Sequence, residues 1–92
     1  MKAITLFYLD DCGYCHRAHR AMDELMAENP AYRDIPITKI EESREPELAA
    51  RYDYYATPTF YVGDEKLFEA HIGMSYDMIK AEVRRVLDAA LA

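Results

Sequence analysis

Both cysteines of the chain, Cys12 and Cys15, stand two residues apart in the stretch "LDDCGYCHRAHRAM". Thiols at that spacing can close and reopen a disulfide, or serve as two ligands of a metal. Because His16 follows directly, they also satisfy the C-x-x-C-H pattern of covalent haem attachment. A zinc site would need Cys12, Cys15 and one of His16, His19 or His71, and no second pair of ligands is present to close it. A further alternative is a non-catalytic binding module in which the thiols are incidental, although the spacing is the one exchange requires. Disulfide exchange runs through the thiolate, of which a free cysteine with a pKa of about 8.5 supplies only a small fraction at neutral pH. The surroundings must therefore favour the ionised form.

The elements around the pair supply such surroundings. Residues 3–9, "AITLFYL", are branched and aromatic with scarcely a polar break, as in a strand covered on both faces. From residue 13 to 29, Cys15, Ala18, Met22, Leu25 and Met26 recur at three- and four-residue steps, and Asn29-Pro30 ends the helix. Cys12 then falls at the helix N-terminus, where unpaired N–H groups and the positive end of the dipole stabilise an anion. Cys15 lies one turn in, on the apolar side. The asymmetry makes Cys12 the expected nucleophile and Cys15 the resolving thiol, with Gly13 and Tyr14 as a spacer that lets another chain approach and sets an aromatic ring beside the sulfurs. His16 and His19 read as the solvent-facing part of the helix.

Residues 35–40, "IPITKI", read as a second strand, placed at a sheet edge by Pro36, which has no N–H for a central ladder. A short helix follows, capped at Ser43, with Pro46 in its first turn and Leu48, Ala49 and Tyr52 inward. Residues 59–62 and 66–71 form a hairpin through Gly63-Asp64. Ser75 caps a last helix whose Ile79, Val83, Val86, Leu87 and Ala90 share one face. The order βαβ, helix, ββ, helix predicts an α/β domain with a four-stranded mixed sheet flanked by helices. Ninety-two residues suffice for one domain, residues 1–92, and not for two.

On "CGYC" after the first strand, "ATPTF" before the third and Gly73 after the last, the chain resembles the glutaredoxin and thioredoxin superfamily over residues 3–91. The resemblance implies a thioredoxin-like fold and a thiol–disulfide oxidoreductase. Ser75, at a helix start, either contacts a carboxylate of a ligand or serves only as a cap. The resemblance also implies a cis bond before Pro58 and a substrate platform at Thr57 and Pro58, with Gly73 near a bound ligand. Its implied partners are protein or low-molecular-weight disulfides and a reductant, glutathione or a thioredoxin reductase. No cofactor is implied, glutathione entering only as a candidate co-substrate. Some glutaredoxins instead share an iron–sulfur cluster between two chains through the first cysteine, a role that Cys12 could take. The sequence departs from glutaredoxins at Gly13, where they typically carry proline, and at Asp10 and Asp11, where a basic residue is usual. It departs again at Met74, in place of the second glycine of a Gly-Gly pair. The two aspartates are expected to oppose an anionic ligand and to raise the Cys12 pKa slightly. Tyr52 reads as core, and Tyr54 and Tyr55 either line a substrate groove or pack.

The net charge of −6 is scattered in short mixed clusters without a basic stripe, which disfavours nucleic acid and anionic lipid as partners. The first residues lack the layout of a secretory signal and no run is long enough to span a bilayer. A cytoplasmic monomer is expected, in a compartment where thiols stay reduced.

Overall fold

Strand β1, Ile4–Tyr8, alternates its side chains between two cores: Ile4 and Leu6 enter the larger one and Phe7 the smaller, all three fully buried. The computed structural model describes residues 1–92. After β1 come α1 (Gly13–Glu28), a 3-10 turn (Pro30–Asp34), β2 (Ile37–Glu41), α2 (Pro46–Ala49), β3 (Thr59–Val62), β4 (Glu65–Glu69) and α3 (Tyr76–Leu91). The sheet order is β2-β1-β3-β4, with β1 parallel to β2 and antiparallel to β3, and β3 antiparallel to β4. This is the four-stranded mixed sheet of a thioredoxin-like fold. The central strands β1 and β3 carry the apolar runs, and β2, which Pro36 directly precedes, stands at an edge as expected.

The long helices cover one face. Ala18, Ala21, Met22 and Leu25 of α1 and Ile79, Val83, Val86, Leu87 and Ala90 of α3 are buried together against Ile4, Leu6, Phe60 and Val62. Each fully buried large aliphatic or aromatic side chain here contributes about 1.5–3 kcal/mol, so this face dominates the hydrophobic stabilisation. On the other face Leu48, Ala49, Tyr52 and Tyr54 pack on Phe7, Ile40 and Tyr61. No helix is long and apolar enough to cross a membrane.

Several boundaries differ from the sequence expectation for local reasons. α1 stops at Glu28 because Asn29 leaves the helical region and caps the 3-10 turn, accepting the Ala31 N–H on Oδ1 at 3.1 Å. Ile35 ends that turn, so β2 begins at Ile37 and runs on to Glu41. β4 runs from Glu65 to Glu69, ending two residues short of the expected His71, while the Ala70 N–H still donates to the Pro58 carbonyl at 3.0 Å. Ser43 does not cap α2: the residue at that position is Glu45, whose side chain makes no capping bond. The Ser43 hydroxyl turns back to Glu41 instead, at 2.5 Å.

Candidate active site

Cys12 is itself the N-cap of α1. Its extended backbone (φ −132°, ψ 112°) breaks the helix, and its sulfur takes the capping role of a serine or aspartate oxygen by accepting the Cys15 N–H at 3.1 Å. Cys15 is fully buried, its Cα 5.1 Å from that of Cys12, and the two sulfurs are joined. Cys12 remains partly exposed. The pair is thus one reachable sulfur at a helix mouth and one covered sulfur directly behind it. Gly13 is exposed, and a Cβ there would meet only Arg17 Nη1 at 3.8 Å, so the fold leaves the spacer open.

The second wall is the loop before β3. The Thr57–Pro58 bond is cis, as the resemblance implies, and Cys12 Sγ lies 3.7 Å from both the carbonyl oxygen and Oγ1 of Thr57. Glu69 holds this loop from the end of β4. Its Oε2 accepts the N–H groups of Tyr55 and Ala56 at 2.5 and 2.6 Å, and its Oε1 pairs with Lys66 at 2.8 Å. Burial alone would raise the Glu69 pKa, but Lys66 and the two N–H donors outweigh it and keep the carboxylate ionised. The Thr59 hydroxyl closes the turn on the Ala56 carbonyl at 2.5 Å.

A second carboxylate fixes the loop between β1 and α1. Glu41, 6% exposed at the end of β2, accepts the Asp10 N–H at 3.0 Å, the Ser43 N–H at 2.7 Å and the Arg44 N–H at 3.3 Å, besides the Ser43 hydroxyl. These donors, the Ser43 hydroxyl foremost, draw its pKa down to about 2. Sequence reasoning missed both carboxylates; the only signal was an acidic residue closing each edge strand, facing a loop on a neighbouring strand. Asp10 is paired with Arg44 at 2.6 Å, so of the two aspartates beside Cys12 only Asp11 is free of an ion pair.

Tyr14 reaches out of the spacer, and its hydroxyl accepts the Gly73 N–H at 2.8 Å while the Arg17 guanidinium lies 5.2 Å from its ring centroid. Gly73, at φ +94°, makes a turn that a residue with a side chain adopts only under strain. The structure therefore brings Cys12, Cys15, Gly13, Tyr14, Thr57, Pro58 and Gly73 together. Ser75 is the α3 cap, its Oγ accepting the Met78 N–H at 3.2 Å. Met74, where a second glycine is usual, is 7% exposed and belongs to the larger core.

The histidines are engaged apart from one another. His16 is exposed with Nε2 at 2.5 Å from the Asp10 carbonyl. His19, expected to face solvent, is half-buried edge-on against Tyr8, with Nδ1 2.9 Å from the Cys15 carbonyl, and burial lowers its pKa. His71 turns to the Ile72 carbonyl at 3.1 Å. No three His, Cys, Asp or Glu side chains converge as metal ligands would.

Comparison with known proteins bears on this geometry. The sequence profile of glutaredoxin matches residues 4–67. Among solved structures, the oxidised mitochondrial thioredoxin 3 of Saccharomyces cerevisiae superposes with a TM-score of 0.60 at 25% identity, covering 91% of this chain and 77% of that one. Thioredoxin 1 of Thermosipho africanus superposes with a TM-score of 0.59 at 17% identity, covering 98% and 99%, a likeness of fold alone. Among curated proteins none matches the chain.

Proposed function

The chain belongs to the glutaredoxin family, and from that membership we propose that it is a thiol–disulfide oxidoreductase which reduces disulfides through Cys12 and Cys15. The single observation that carries this reading is the position of the Cys12 sulfur: at the helix mouth, hydrogen-bonded by the Cys15 N–H at 3.1 Å, and 3.7 Å from the Thr57 carbonyl. In the reduced protein the same N–H and the helix dipole stabilise the Cys12 thiolate. That thiolate attacks one sulfur of a substrate disulfide, forming a Cys12–substrate bond and releasing the other sulfur as a thiolate that takes up a proton. The Cys15 thiolate then attacks Cys12, the second substrate thiol leaves, and the enzyme is left oxidised by two electrons. Thr57 and Pro58 present backbone to the substrate, and Gly13 keeps the approach open.

Two equivalents of a thiol reductant, or one dithiol, must restore the pair. The Gly73 N–H is engaged within the chain by the Tyr14 hydroxyl, and Asp11 is an anion beside Cys12 with no ion-pair partner. These features favour a reductase as the donor over anionic glutathione. The same reading places the protein in the cytoplasm, where the reducing poise recharges such dithiols. Cys12→Ser is expected to abolish reduction of small and protein disulfides alike, and Cys15→Ser to accumulate a mixed disulfide visible by intact mass. Full activity in Cys12→Ser would overturn the reading.

A further inference from the structure

On the sheet face opposite the long helices a cleft of about 300 Å3 opens two residues from Thr57, lined in part by Glu42, Ala49, Tyr52, Tyr54 and Tyr55. Two of its rings are fixed. Tyr54 stacks on Phe7 with centroids 4.8 Å apart, and Tyr52 lies against Phe7 and Tyr61 at 4.6 and 5.0 Å. Tyr55, in contrast, is 92% exposed, and the Glu69 carboxylate holds its backbone N–H. Glu42 Oε1 accepts the Tyr54 hydroxyl at 2.6 Å, which sets the carboxylate among the rings. No cation of the chain balances it: Glu42 forms no ion pair, Arg44 is engaged by Asp10 at 2.6 Å, and Arg51 does not line the cleft.

Aromatic faces backed by a fixed carboxylate attract ammonium and guanidinium groups and repel anions. Two residues of chain, able to span at most about 7 Å, separate Tyr55 from Thr57, whose carbonyl faces the Cys12 sulfur. We infer that the cleft receives a lysine or arginine side chain of the peptide whose disulfide is being exchanged, and so selects substrates with a basic residue a few positions from the reacting cysteine. The assignment rests on the oxidoreductase reading and adds to it a substrate class.

The test is a set of otherwise identical peptides, each carrying a mixed disulfide at one cysteine and a lysine walked two to five residues to either side, with acetyl-lysine as the neutral control of equal shape. At one position the reduced protein should favour lysine over acetyl-lysine in kcat/KM by about threefold to tenfold, the range of an exposed cation–π contact supported by a carboxylate. Glu42→Gln, which keeps an acceptor for Tyr54, and Tyr55→Ala, which removes an exposed ring, should each erase the preference without lowering turnover of the acetylated peptide. Equal rates at every position, or a preference that survives Glu42→Gln, would overturn the inference. Were no disulfide reduced, the oxidoreductase reading would fall. The cleft would then be decided by titrating the lysine and acetyl-lysine peptides, with serine in place of cysteine, into the protein. Selective shifts of the Tyr54 and Tyr55 ring resonances by the lysine peptide would support it, and equal or absent shifts would sink it.

Discussion

A sulfur that caps a helix is already solvated by backbone, and this ties the chemistry of Cys12 to the residues on either side of it. Gly13 occupies the first helical position, where the N–H has no intrahelical partner, and Cys12 before it has the extended backbone that a following proline demands. Gly13→Pro should therefore stabilise the protein by about 0.4–1 kcal/mol through the unfolded chain, seen as a rise of a few degrees in Tm. Glu41 gives a pH dependence whose sign is fixed by its depressed pKa. Its contribution is complete above the ordinary value of 4.5 and disappears as pH falls toward about 2. The stability advantage of the native protein over Glu41→Gln should accordingly shrink across that window in acid titrations followed by denaturant unfolding; a constant difference would contradict it. The cysteines and their spacer were legible from residue types and order, whereas the cis bond before Pro58 followed only from the family resemblance, since the residues alone mark a turn there. The carboxylates of Glu41 and Glu69 were not, because a side chain that accepts backbone N–H groups from a loop on another strand leaves no local pattern.

At the scale of elements, the segments with strong periodicity were read nearly to the residue. The α3 face of Ile79, Val83, Val86, Leu87 and Ala90 is buried as its spacing dictates, and β3 spans Thr59–Val62. Short elements were misplaced where a side-chain contact outweighed propensity: Ser43 reads as a cap, yet Glu41 two residues earlier offers its hydroxyl a stronger, ionised acceptor. Ser75 keeps its cap, and Ser75→Ala should cost about 1 kcal/mol, measured as a shift of the denaturant midpoint at unchanged m-value. Because Ser75 Oγ is committed to α3, the same substitution should leave the rate with a neutral small disulfide unchanged.

For the whole molecule, the net charge of −6 and the free Asp11 beside the reactive pair set the long-range field that a small substrate meets. With screening over about 10 Å at 0.1 M salt, exchange with an anionic disulfide such as oxidised glutathione should quicken as salt is added and that with cationic cystamine should slow, while a neutral disulfide responds little. Stopped-flow rates at two ionic strengths decide this, and parallel trends for both charges would refute it. Composition made this field readable before any fold was known, whereas the uneven distribution of its compensation, with Asp10 paired and Asp11 not, required tertiary structure. The bridge from Tyr14 to Gly73 spans 59 residues of chain and joins the spacer to the turn that opens α3. When the sulfur–sulfur bond opens, the ring between the two cysteines is the piece best placed to register it. The amide proton of Gly73 is therefore expected to shift on reduction, a change that a spectrometer can follow while both thiols are left untouched, and an unchanged resonance would contradict it.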